Sequence, residues 1–113
     1  MTSARFRKLA LSMPGASEVP HFQRTSFRVG KRIFATMTGD GRHVMVRVHP
    51  LERCLSVLNA YPDIFFEFGG WTRRHGALGV RLSAVDTRRL RGLVYDAWEH
   101  IPTKQSRTAA RRG

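Results

Sequence analysis

Between Arg24 and His49 the chain alternates apolar and polar residues through three short segments joined by two tight turns, a pattern that few folds accept. Phe27, Val29, Ile33, Ala35, Met37, Val44, Val46 and Val48 recur every second residue, the period that sets side chains on one face of a sheet. Gly30-Lys31 and Thr38-Gly39-Asp40-Gly41 supply the turns, with glycine where a hairpin calls for positive φ. The stretch predicts a three-stranded antiparallel meander with one face that must be covered. Ser26, Arg28, Thr36, His43, Met45 and Arg47 fall on the other face, a mixture that no core accepts without partners.

The cover comes from segments with helical spacing. From Ser3 to Met13, Phe6, Leu9, Ala10 and Met13 share one side, and Pro14-Gly15 ends the helix. A connecting loop is expected to about Gln23. Pro50 suits a first helical position, and Leu51, Cys54, Leu55, Leu58 and Tyr61 then keep the 3.6-residue period until Pro62. Residues 63–76 hold Ile64, Phe65, Phe66, Phe68 and Trp71 among three glycines without a clean period, which reads as a packed loop with room for an extra short strand. Leu78, Val80 and Leu82 alternate with Gly79 and Arg81 as a fourth main strand. Asp86 then caps a third helix whose stripe runs through Leu90, Leu93, Val94, Ala97, Trp98 and Ile101 to Pro102. The fold class expected is α+β, in the order α-β-β-β-α-β-α, as one domain over residues 1–102. Residues 103–113 carry four basic residues, no acid and nothing apolar larger than alanine, so a disordered basic tail is expected there.

Charge narrows the partners. Twenty Lys and Arg against eight Asp and Glu leave +12 at pH 7, and the pI is near 11.6, a balance that calls for anionic company. Codon usage explains a preference for arginine over lysine but not the scarcity of acids. The single Cys54 allows no internal disulfide and fits a reducing compartment. With no apolar run near the ~20 residues of a membrane span and no signal-peptide core, the expected location is the cytoplasm, away from the membrane.

The ordered set Leu11-Ser12-Met13-Pro14-Gly15, Pro20-His21-Phe22 and Phe27-Arg28-Val29-Gly30-Lys31-Arg32-Ile33-Phe34-Ala35-Thr36 resembles the YjbR/MmcQ-like family. Gly70-Trp71, Gly79-Val80-Arg81-Leu82, Ala84-Val85-Asp86 and the Leu90, Leu93, Ala97, Trp98 helix continue the likeness over about residues 3–101. The resemblance implies a frataxin-like fold, with helices on one face of an antiparallel sheet and the other face open. It implies little chemistry beyond a suggestion of DNA binding drawn from shape. Many relatives carry a tryptophan where this chain has Ala77.

Catalytic and metal chemistry find little support. His43 and His49 share a strand face but sit about 20 Å apart at strand rise, and His21, His75 and His100 are scattered, so no metal site is expected. There is no nucleophile elbow, Walker loop or dinucleotide fingerprint, and Cys54 lies on an apolar stripe. No cofactor is expected and no residue set proposes a reaction.

The basic residues say more, because several occupy positions where folding gains nothing from them. Arg88, Arg89 and Arg91 stand at the start of the third helix, where the macrodipole disfavours cations and an anion would be welcome. Arg28, Arg47 and Arg81 each sit between core-facing neighbours and so point to the open face, with Arg73 and Arg74 in the nearby loop. Alternatively, arginine stems on that face merely cover exposed backbone. His21, Phe22 and Trp71 could wall a small pocket, or plug the end of the core. The leading expectation is a non-enzymatic binding module that contacts nucleic acid through phosphates. A small-molecule or small-anion binder and a docking domain for an acidic protein are the alternatives.

Overall fold

The computed structural model describes residues 1–21 and 23–101. The expectations for Phe22 and for the tail at 103–113 lie outside these residues. Ten elements follow one another: α1 (Ser3–Leu11), β1 (Ala16–His21), β2 (Arg24–Val29), β3 (Arg32–Met37), β4 (His43–Arg47), α2 (Leu51–Ala60), β5 (Phe65–Glu67), α3 (Trp71–His75), β6 (Ala77–Arg81) and α4 (Thr87–Glu99). The six strands form one sheet in the order β1-β2-β3-β4-β6-β5, every neighbouring pair antiparallel. The α+β class and the central meander are as expected. The element order gains two edge strands and a short helix.

Both extra strands occupy places where sequence signals are weak. β1 pairs along β2 from Ala16↔Val29 to His21↔Arg24, yet Ser17, Glu18 and Pro20 spoil its alternation. Proline is tolerated there because an edge strand has one row of backbone groups without a ladder partner. Glu18 also pairs with Arg7 of α1 at 3.2 Å. At the opposite edge β5 has three residues, too few to show a period.

Register explains a second departure. Phe27 faces Ala35 while the next residue, Arg28, faces Ile33, so Phe34 is the extra residue of a β-bulge. The bulge turns Phe34 into the core, where it is fully buried, and sends Ile33 to the open face, the reverse of what strict alternation predicts. Around Phe34 the core gathers Phe6, Phe27, Val44, Val46 and Leu78, with Leu90 and Val94 from α4. Phe6 meets Phe27 edge to face at 5.6 Å, fixing α1 over β2. Cys54 is buried in the same cluster, and burial pushes its thiol pKa up, which fits the role of a small core residue. Trp98 donates from Nε1 to the Pro14 carbonyl at 2.8 Å and so ties α4 to the exit of α1.

Among the described residues, no helix is long and apolar enough to cross a membrane.

Candidate functional site

Alternation in the register assigns the open face row by row. Val19, Ser26, Thr36, Met45, Gly79 and Phe66 form its central row across all six strands. A side chain added at Gly79 would place Cβ 2.6 Å from the Phe66 ring, so glycine there lets the ring lie flat against β6. His43 meets the same ring edge-on at 5.2 Å, and the Arg81 guanidinium lies over it at 4.9 Å. The face is therefore partly clothed in aromatic and arginine side chains.

Beside this layer runs a cleft of about 420 Å³, lined by Arg24, Met45, Arg47, Phe68, Trp71 and His75 among others. Arg24 of β2 covers the Phe68 ring at 4.9 Å, although four strand steps separate β2 from β5. The strands lie roughly 19 Å apart at about 4.8 Å per step, and the two long side chains reach toward each other across the cleft, which makes this part of the open face concave. Ala77 lies in the cleft wall, and the small side chain at this position, where the resemblance anticipates tryptophan, leaves space.

The rim of the cleft is α3, in the segment read from sequence as a loop. Thr72 fixes it: its hydroxyl accepts from the Phe68 amide and donates to the Ala77 carbonyl, both at 2.6 Å. Gly76 ends the helix at φ +68, with its N–H returned to Thr72. An added Cβ there would stand 2.4 Å from the Val48 carbonyl, so the strand end and α3 are held in close approach. Trp71 is left 58% exposed, the most of any large apolar side chain among the described residues, and tilts against His75 at 5.3 Å.

The structure sorts the sequence-predicted site residues into three groups. Arg47 and Trp71 meet in the cleft; Arg47 donates from Nε to the His75 carbonyl at 3.0 Å, which orients its guanidinium along the rim. Arg74 lines an adjoining hollow with Arg47. Arg28 and Arg81 do face the open side, as parity requires, but both have intramolecular duties. Arg28 donates from Nε to Ser26 at 2.8 Å, and the Ser26 hydroxyl donates to the Val19 carbonyl. Arg81 clamps β5 through the Pro62 and Phe65 carbonyls at 3.3 and 3.2 Å. Arg73 is paired with Glu67 at 2.6 Å. His21 ends β1.

The third group lies elsewhere. Arg88 and Arg89 belong to α4, which packs on the covered side of the sheet. The Asp86 side chain already accepts from the Arg89 amide, and its carboxylate pairs with the Arg89 guanidinium at 3.2 Å. Arg89 also lies over the Tyr61 ring at 4.1 Å. The helix start supplies its own anion, and the cations there are not gathered around an empty one. Arg88→Glu is accordingly expected to stabilise the fold by about 0.3–1 kcal/mol at low salt through the dipole. Arg89→Glu is expected to destabilise it, because it sets like charges against Asp86 and abolishes the stacking on Tyr61; thermal denaturation of the two variants separates these outcomes.

Sequence reasoning missed Arg24 and Phe68 as residues of the cleft, since neither has a local signal and the contact between them spans several strands. It also missed the stacking of His49 on His100 at 5.1 Å, a pair that no spacing announces. Among the described residues, no group of three or more His, Cys, Asp or Glu is placed to hold a metal ion.

Comparison with known proteins agrees with this architecture. The crystal structure of Deinococcus radiodurans protein DR2400, a DUF419-domain protein, is similar with a TM-score of 0.80 over 96% of this chain and 86% of that one. At 21% identity the likeness is one of fold. No curated protein sequence matches the chain. The YjbR family model matches residues 11–100, from the end of α1 to the end of α4. That span takes in the whole sheet, the cleft and its rim, and the chain belongs to the YjbR family.

Proposed function

We propose that this protein is a non-enzymatic binding module that holds single-stranded nucleic acid on the concave face of a frataxin-like sheet. Bases stack on Trp71 and Phe68, and phosphates meet Arg24, Arg47, Arg74 and the terminal nitrogens of Arg28. The observation that carries the reading is an exposed tryptophan beside a second aromatic ring, with arginines on both banks of one cleft. Stacking platforms flanked by cations are how single strands are bound with little regard to sequence, at about 1–3 kcal/mol per stacked base. A duplex offers no free base faces and so gains only the phosphate contacts. The excess of +12 adds long-range attraction.

A second reading has its own support. A cleft of about 420 Å³ falls within the size range of small-ligand sites, which suits a compact aromatic anion such as a mononucleotide.

Tryptophan fluorescence tests both. Trp71 is exposed, whereas Trp98 is half-buried and hydrogen-bonded to Pro14, so ligand stacking should quench the red-edge emission of Trp71. Oligothymidylate is expected to quench at micromolar concentration or below, a blunt duplex of equal length less, and Trp71→Phe to lose most of the response. Equal saturation by a mononucleotide and by an oligonucleotide would move the assignment to the small-ligand reading. Absence of quenching by either would refute stacking in the cleft.

A further inference from the structure

Where the β2–β3 turn approaches the C-terminus of α4, Lys31, Arg32, Arg47, His49 and His100 line a pocket of about 400 Å³. Among the described residues, no carboxylate lines it. Of the two acids near this end of α4, Asp96 is held by Arg53 of α2 at 2.8 Å, and Glu99, beside His100, is exposed and not among the lining residues. What Asp96 offers the pocket side is its backbone carbonyl, which accepts from His100 Nδ1 at 2.7 Å. Because a carbonyl can only accept, that bond fixes the proton on Nδ1 and leaves His100 Nε2 for another partner.

Such an arrangement is costly for folding alone. Three permanent cations crowd His49, which stacks on His100, and oppose a further positive charge on its ring. The pKa of His49 is accordingly held below the ordinary histidine range, by burial first and then by His100 and Arg47. An anion in the pocket reverses these terms. It compensates Lys31, Arg32 and Arg47 and favours the protonated form of His49.

The pocket adjoins the aromatic cleft, with Arg47 and Ile33 lining both. A strand lying in the cleft can therefore bring its end here. An internal phosphodiester carries one charge, whereas a phosphate monoester carries about −1.5 to −2 at pH 7 and three strong acceptor oxygens. The geometry points to a terminal-phosphate pocket: Lys31, Arg32, Arg47, His49 and His100 bind the phosphate monoester at the end of the nucleic-acid strand held on the sheet face. This rests on the nucleic-acid reading above and adds a preference for phosphorylated ends. Binding takes up protons, so the preference grows as pH falls from 8.5 to 6.5, and weakens near pH 6 where the monoester itself is protonated.

The test compares three oligothymidylates of one length, carrying a 5′-phosphate, a 3′-phosphate or hydroxyls at both ends, on the full chain. One phosphorylated form is expected to bind roughly tenfold tighter than the hydroxyl form at pH 6.5, and about threefold tighter at pH 8.5, the scale of about one net charge-assisted hydrogen bond. His49→Gln with His100→Gln should remove the pH dependence and leave affinity for the hydroxyl form unchanged. Lys31→Ala, an exposed turn position that leaves the core untouched, should lower the preference at both pH values without the risk of misfolding. Equal affinity for all three oligonucleotides at both pH values overturns the pocket while the sheet-face reading stands. If no oligonucleotide binds, the sheet-face reading falls, and inorganic phosphate decides the pocket by itself. Shifts in the His49 and His100 imidazole signals that are weakened in Lys31→Ala support it, and signals that phosphate does not move overturn it.

Discussion

Phe34→Ala is expected to lower the unfolding free energy by about 3–5 kcal/mol, the range for truncating a fully buried phenylalanine. Ile33→Ala, one residue earlier, is expected to cost less than about 1.5 kcal/mol, because a half-exposed side chain forfeits less transfer energy and leaves no cavity. The contrast depends on the bulge. In β3 the register slips between Phe27↔Ala35 and Arg28↔Ile33, which lets Phe34 and Ala35 both enter the core while Ile33 joins Arg47 on the open side. Strict alternation would make Ile33 the core residue and Phe34 the exposed one, and the two costs would change places. Urea denaturation with unchanged m-values measures both directly. A larger loss for Ile33 than for Phe34 would show that β3 runs in plain alternating register.

The same pair shows what a sequence reveals and what it hides. Period and turn chemistry are local, so β2, β3, β4 and β6 and the helices α1, α2 and α4 could be read from residues a few positions apart. The stripe from Leu90 to Ile101 matches the buried face of α4 almost residue for residue. A bulge inserts one residue without leaving a turn signal, and it inverted the reading at 33 and 34. Edge strands escape for a different reason. β1 needs only one paired side, so it tolerates Pro20 and polar residues that argue for a loop. In the site, parity placed Arg28, Arg47 and Arg81 on the open side, but parity knows nothing of partners. That Arg81 is spent on the Pro62 and Phe65 carbonyls, while Arg24 reaches Phe68, follows from contacts between segments far apart in sequence, which no local pattern announces. At the start of α4 the residue that caps it, Asp86, is itself the counter-charge for Arg89.

These distinctions set the second large effect. Replacing Arg24, Arg47 and Trp71 together by alanine removes one stacking platform and two phosphate contacts from the cleft. With about 1–3 kcal/mol for the stacked base alone, the loss of affinity for single-stranded DNA should be roughly 100-fold or more. The three side chains are exposed or half-exposed, and none belongs to the buried cluster, so the fold should survive with little change in midpoint. Arg81→Ala is expected to behave in the opposite way. It should loosen β5, with a modest loss of stability, and weaken binding only in proportion to the disorder it causes at Phe66. A triple variant that binds as tightly as the parent protein would contradict the assignment of the cleft. So would an Arg81→Ala variant that loses more affinity than the triple.

The central claim is that phosphates are held by side chains on the concave face, and the salt dependence of oligothymidylate binding tests it most directly. With about four phosphates assigned to Arg24, Arg28, Arg47 and Arg74 by the proposal, and about −0.7 per neutralised phosphate on a single strand in the slope of log affinity against log salt, a slope of about −2.8 is predicted. The triple variant, which keeps two of the four, should show about −1.4. A slope near zero, with affinity maintained at high salt, would contradict a phosphate-led contact altogether. A steep slope that the triple variant leaves unchanged would place the phosphates somewhere other than this face.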